Sequence, residues 1–192
     1  MKVFLGIFSL VVLIMLPAIS SAVSFDCWRT GMSINEVVRL AQEHDIPIAR
    51  EGLIHARKGF DPKLIDDKFY KASAVYYRTS LSGRTTTIYL RFTDDPKFVR
   101  EIEVRFHSIK DKELFTKEML GILSKKYGSY KKLGGLFDKS YEWRPDRYSQ
   151  ILMRVLGGGA SIFYTDLRIK KDFEEQRRQK EKESINKDAG KY

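Results

Sequence analysis

A stretch with helical periodicity followed by three stretches that alternate like strands occurs twice in this chain, and that order restricts its folds more than any other feature. Ser33-Ile34-Asn35-Glu36 is a capping box, in which the serine hydroxyl and the glutamate carboxylate satisfy each other's backbone donors at a helix start. Ile34, Val37, Val38 and Ala41 follow at the i, i+3, i+4, i+7 spacing of one buried face. A helix is therefore expected over residues 34–44, with Met32 and Val37 placed as a hydrophobic staple and Pro47 beyond its end. Arg50, Lys58, Gly59 and Asp61-Pro62 interrupt any long period over residues 48–68, which read as a loop with short helical pieces. Strand-like runs come next, over 69–81, 85–92 and 99–106, with turns at Ser82-Gly83-Arg84 and Asp94-Asp95-Pro96. In the third run Ile102, Val104 and Phe106 face one way and Glu101, Glu103 and Arg105 the other, as in an antiparallel meander with one wet face.

The second round starts at Asp111, the expected cap of a helix over 112–127 whose core stripe is Phe115, Met119, Ile122 and Leu123. Gly128 stands where a C-terminal cap belongs, and Lys125 and Lys126 suit the negative end of the helix dipole. Strands are expected over 141–144, 149–156 and 161–169, separated by Arg144-Pro145-Asp146 and by the hairpin glycines Gly157-Gly158-Gly159. The fold class is α+β: two helix-plus-three-strand units, about 23–108 and 109–169, form a two-layer sandwich with the helices on one side of an antiparallel sheet. Residues 170–192 carry eight basic and six acidic side chains and little apolar besides Phe173 and Ile185. They form a charged tail, either a solvated helix or disordered.

Compartment is read from residues 1–22. Lys2 precedes an apolar run of 14 residues from Val3 to Leu16, Pro17 breaks it, and Ser20-Ser21-Ala22 offers small residues for cleavage. That is a secretory signal peptide, and the run is shorter than the roughly 20 residues that cross a bilayer. The chain is expected to be periplasmic or secreted after cleavage near Ala22, and Asp26 before Cys27 is unlike a lipidation site. Formal charge is +10, and loss of Lys2 with the leader leaves 34 basic against 25 acidic residues, or +9. In that compartment the surplus points to protein surfaces, anionic membranes or glycans as partners, not to nucleic acid.

Few residues offer catalysis. His44, His55 and His107 show no metal-ligand spacing, the triple glycine joins two strands instead of opening a helix, and no cofactor is implied. Cys27, the only cysteine, has no internal partner for a disulfide; burial, an intermolecular bridge and a reactive thiol all remain open for it. Phe25-Asp26-Cys27 resembles the Asp-Cys-Ser-Gly motif of NlpC-type cell-wall cysteine peptidases, with Trp28-Arg29 in place of Ser-Gly. The resemblance implies a Cys27 nucleophile with a histidine base, for which His107 is the candidate.

Gly31-Met32-Ser33-Ile34-Asn35-Glu36-Val37 resembles the Gly-Met-Ser-x-x-Glu-Val opening of the BamE/SmpA/OmlA group of small envelope proteins. That resemblance implies a helix packed on a three-stranded sheet, in a domain that holds protein partners at the outer membrane without catalytic residues. The doubled order is also similar to the secreted β-lactamase-inhibitor architecture, whose sheet grips a protein. Attention thus falls on the wet sheet face. Alternation places Tyr89, Arg91, Glu103 and Arg105 there in the first unit and, depending on register, Arg154, Tyr164 and Arg168 in the second. Tyrosine and arginine are enriched at binding hot spots because both pair broad contact area with polar tips. The expected function is a non-catalytic exported protein that binds an envelope protein through this face. A Cys27-dependent enzyme and a binder of anionic lipid or glycan are the alternatives.

Overall fold

The computed structural model describes residues 22–53, 58–134 and 139–189. The leader read over residues 1–22 lies outside them except for Ala22. The fold is α+β, built on one eight-stranded antiparallel sheet. In chain order the elements are β1 (Ser24–Phe25), β2 (Trp28–Arg29), α1 (Ile34–Glu43), β3 (Ala49–Arg50), a 3₁₀ turn (Pro62–Leu64), α2 (Asp67–Lys71), β4 (Ala74–Leu81), β5 (Arg84–Phe92) and β6 (Val99–Phe106). α3 (Lys112–Tyr127), β7 (Lys131–Leu133), β8 (Lys139–Trp143), β9 (Ser149–Leu156), β10 (Gly159–Asp166) and α4 (Leu167–Ala189) complete the chain. The strands lie in the order β3-β4-β5-β6-β10-β9-β8-β7, so two meanders meet at β6 and β10 in the middle of the sheet.

One sheet face is apolar and carries the core. Tyr77, Ile88, Leu90, Ile102, Val104, Ile162, Tyr164, Ile151, Met153 and Trp143 all point into it and are all buried. α1 closes on it through Ile34, Val37 and Ala41, with both halves of the Ser33–Glu36 capping box formed. The Ile34 and Gly31 amides bond to the Lys97 and Val99 carbonyls, which ties the entry of α1 to the start of β6. α3 is capped by the Asp111 carboxylate, which accepts from Leu114 N–H, and ends at Gly128 with φ +84°. Its buried stripe is Phe115, Thr116, Met119 and Leu123. Ile122, expected in that stripe, is 55% exposed.

Ahead of α1 in the chain lies an element with no periodicity to announce it. The β1–β2 hairpin turns at Asp26, whose φ is +56°, and drives Trp28 into the core with no exposed surface. Trp28 Nε1 donates to Tyr77 Oη at 2.9 Å, and the Phe25 ring packs 5.5 Å from that of Tyr164.

Two other expectations are corrected. Phe69–Lys71 belongs to α2 and not to a strand, because the Asp66 carboxylate accepts from Phe69 N–H and caps a helical turn that buries Phe69. The last strand ends at Asp166 instead of continuing through Ile169, because the Asp166 carboxylate accepts from Arg168 N–H and turns the chain into α4. α4 docks through Phe173, which lies under the Arg100 guanidinium at 4.6 Å, and through a Lys180–Asp94 ion pair at 3.6 Å. From Glu174 to Lys187 every side chain on α4 is exposed.

Candidate functional site: the open sheet face

The face away from the core is polar, and strand register decides what it brings together. Tyr76, Tyr89, Glu103, Phe163 and Leu152 form one row across β4, β5, β6, β10 and β9. Arg78, Thr87, Arg105, Ser161 and Arg154 form the next. Three of the residues expected on a binding face, Tyr89, Arg91 and Arg105, therefore gather around Glu103.

Glu103 is the centre of that group and is 2% exposed. One carboxylate oxygen accepts from Arg105 Nε at 2.8 Å and from Ser161 Oγ at 3.0 Å; the other accepts from Arg91 Nη2 at 2.7 Å. Burial alone would raise the Glu103 pKa, but the hydrogen bonds from Arg105 and Arg91 outweigh it and hold the carboxyl below its ordinary range. Both guanidiniums also lie over the Tyr89 ring, Arg105 at 4.6 Å and Arg91 at 5.4 Å, and Tyr89 stacks on Tyr76 at 5.7 Å between centroids. The result is a rigid plate of two cations, one anion and two aromatic rings.

Beside the plate a cleft of about 650 Å³ opens between the end of β6 and the β9–β10 hairpin. Its walls include Arg105, His107, Arg154, Leu156, Ser161 and Phe163. The Arg154 guanidinium rests over the Phe163 ring at 5.6 Å, and among the described residues no carboxylate lies within ion-pair distance of it. His107 Nε2 and Thr87 Oγ1 share a hydrogen bond of 2.8 Å. Burial first, and then the charges of Arg105 and Arg78, hold the imidazole below its ordinary pKa.

At the cleft the hairpin comes very close to β6. Gly157 turns it with φ +49°, and a Cβ at Gly159 would sit 2.8 Å from the Phe106 carbonyl oxygen. Gly159→Ala should therefore lower the urea midpoint by an amount equivalent to about 1–3 kcal/mol, as an overpacked contact does. Gly158→Ala, with open space at its Cβ, should stay within about 0.5 kcal/mol of wild type. Equal midpoints for the two variants would show that the close approach is not a constraint.

Two expected site residues are not on this face. Tyr164 is 4% exposed and faces the core beside Phe25 and Tyr127, because the β10 register turns Ile162 and Tyr164 inward and leaves Ser161 and Phe163 outward. Arg168 lies in the first turn of α4, at the opposite end of β10 from the cleft, where its guanidinium binds the Asp166 carboxylate at 2.7 Å and covers the Tyr148 ring. Tyr76, Arg78, Ser161, Phe163 and Leu156 belong to the face but were not singled out in the sequence, and His107 is a wall of the cleft.

Cys27 sits in the β1–β2 turn, half-buried against the core, so it and His107 lie on opposite sides of the sheet. Burial, with the Asp26 charge second, pushes its thiol above the ordinary value. Its alkylation rate should rise only above the pH at which a free thiol ionises, about 8.5. Fast alkylation at pH 7 would show an activated thiolate.

No family model, curated protein or solved structure matches the chain. Among the described residues no group of three or more His, Cys, Asp or Glu side chains is placed to hold a metal ion, and no helix is long and apolar enough to cross a membrane.

Proposed function

We propose that this is an exported, periplasmic, non-catalytic protein whose open sheet face binds another envelope protein. One observation carries the reading. The face opposite the helices presents a pre-ordered plate of Arg91, Glu103, Arg105 and Tyr89 next to Arg154 and Arg78, which have no carboxylate partner among the described residues. A surface whose anchors are already held loses little side-chain freedom on binding, and arginine with tyrosine is the composition that hot spots favour. The leader pattern supports export, and the +9 left after loss of Lys2 (34 basic against 25 acidic residues) supports an acidic partner.

The same reading takes the chain as two helix-plus-sheet units, about 23–108 and 109–169, followed by a charged tail. α1 followed by β4–β6 is the order that the BamE-like opening at Gly31–Val37 implies, and α3 followed by β8–β10 repeats it.

Partner capture from envelope extract tests the function, with wild type compared with Arg154→Glu and Leu156→Asp. Both positions are exposed on the open face, so both variants should fold. Lys117→Glu, exposed on α3 behind the sheet, is the control. The expected result is a partner lost with the first two substitutions and kept with the third. Capture unchanged by both face substitutions would overturn the reading, and capture of anionic vesicles in place of protein would replace it with a lipid-binding one.

A further inference from the structure

We propose that the cleft between the end of β6 and the β9–β10 hairpin is a subsite for an acidic peptide segment, seating one carboxylate between Arg154 and His107 and a neighbouring apolar side chain on Phe163 and Leu156. This rests on the face-binding reading and gives it a ligand chemistry. Arg105 and Arg154 occupy one row on either side of Ser161, so their Cα atoms are separated by two strand spacings, about 10 Å. Both side chains line the cleft. They are not equivalent, because the Nε of Arg105 is committed to Glu103 while the Arg154 guanidinium lies over the Phe163 ring with no ion-pair partner among the described residues. An incoming carboxylate finds its free cation at Arg154.

The walls decide which anion fits. Leu156 is 51% exposed and Phe163 is half-buried, so the cleft offers apolar surface beside its cation. A small inorganic anion would leave both in water, whereas an acidic residue followed by an aromatic or aliphatic one covers them. Glu103, in the same lining, repels a second negative charge and so favours a monoanionic carboxylate over a phosphate dianion. The charge around His107 comes from Arg105 on β6, Arg78 on β4, Arg154 on β9, Glu103, and Arg84, Lys110 and Asp111 on the side facing the α3 cap; Thr87 on β5 holds its Nε2. That surplus is positive, and a bound carboxylate offsets it.

The test is an amide chemical-shift titration of protein expressed from the full-length chain, with acetyl-Glu-Phe-amide, acetyl-Gln-Phe-amide and phenyl phosphate as probes. Sedimentation with phosphatidylglycerol vesicles runs alongside. The glutamyl peptide should shift Arg105, His107, Arg154 and Ser161, bind roughly tenfold tighter than the glutaminyl peptide, and lose that margin in Arg154→Glu. It should also move the His107 titration to higher pH. Equal shifts with the glutaminyl peptide, no shift at these four residues, or a preference for phenyl phosphate would overturn the subsite. Arg154-dependent binding to vesicles without peptide shifts would do the same and assign the cleft to lipid. Shifts confined to Tyr76 and Tyr89 would remove the subsite while leaving the face reading intact; that reading falls only if neither face substitution alters partner capture.

Discussion

Replacing Trp28 by alanine should remove about 3–5 kcal/mol of stability, the range for deleting a large buried aromatic. The indole has no exposed surface, and its N–H is the partner of the hydroxyl of Tyr77, a residue that is itself buried. Two-residue strands cannot hold a hairpin by themselves, so β1–β2 stays in place because Trp28 is buried in the core and bonded to Tyr77. Urea denaturation should show the Trp28→Ala midpoint far below wild type, or no folded baseline at all. Trp28→Phe separates packing from polarity. It keeps most of the volume but orphans the Tyr77 hydroxyl, at a cost of about 1–3 kcal/mol, and Tyr77→Phe in that background should recover part of the loss. A Trp28→Ala variant within 1 kcal/mol of wild type would mean that the hairpin is dispensable.

The second large effect belongs to Glu103. Breaking a buried ion pair by removing one partner typically costs about 3–5 kcal/mol. Arg91 and Arg105 keep 25% and 39% of their side-chain surface in water, so Glu103→Ala should fall at the low end, near 3 kcal/mol. Glu103→Gln, which keeps both acceptor and shape, should cost less. The pH dependence has a definite sign. A carboxyl whose folded pKa is depressed contributes stability above its unfolded value, near 4.3, and loses it as pH falls through the lower folded value. Wild type should thus lose stability below about pH 4 more steeply than Glu103→Gln. Parallel acid-unfolding curves would show that Glu103 is not held by its arginines.

The helices and the first meander were legible because each signals itself locally. The capping box fixed the start of α1, Asp111 and Gly128 bracketed α3, and alternation over Val99–Phe106 gave the two faces of β6. What failed was information held by distant partners. Ile162, Phe163 and Tyr164 are three apolar residues in succession, so the parity of β10 is undetermined until Ile162 pairs with Val104 and Met153. Tyr164 was therefore assigned to the wrong face. Arg168 was misplaced for the opposite reason: Asp166 was there to be read as a helix-starting residue, but the strand pattern before it was carried through. The cleft could not be read at all, since it needs β6 and β10 side by side across more than 50 residues of intervening chain.

The central β6–β10 seam has a consequence for how the chain comes together in time. Each meander is laid down from the sheet edge inward, so the last strand made is the one that joins the halves. Until Gly159–Asp166 is available, Val99–Phe106 is a long strand with one apolar face and one row of unpaired amides and carbonyls, the kind of edge on which chains add to one another. A chain stopped before β9 should therefore form oligomers by strand addition at β6, where the complete chain, with that edge covered by its own C-terminal half, does not.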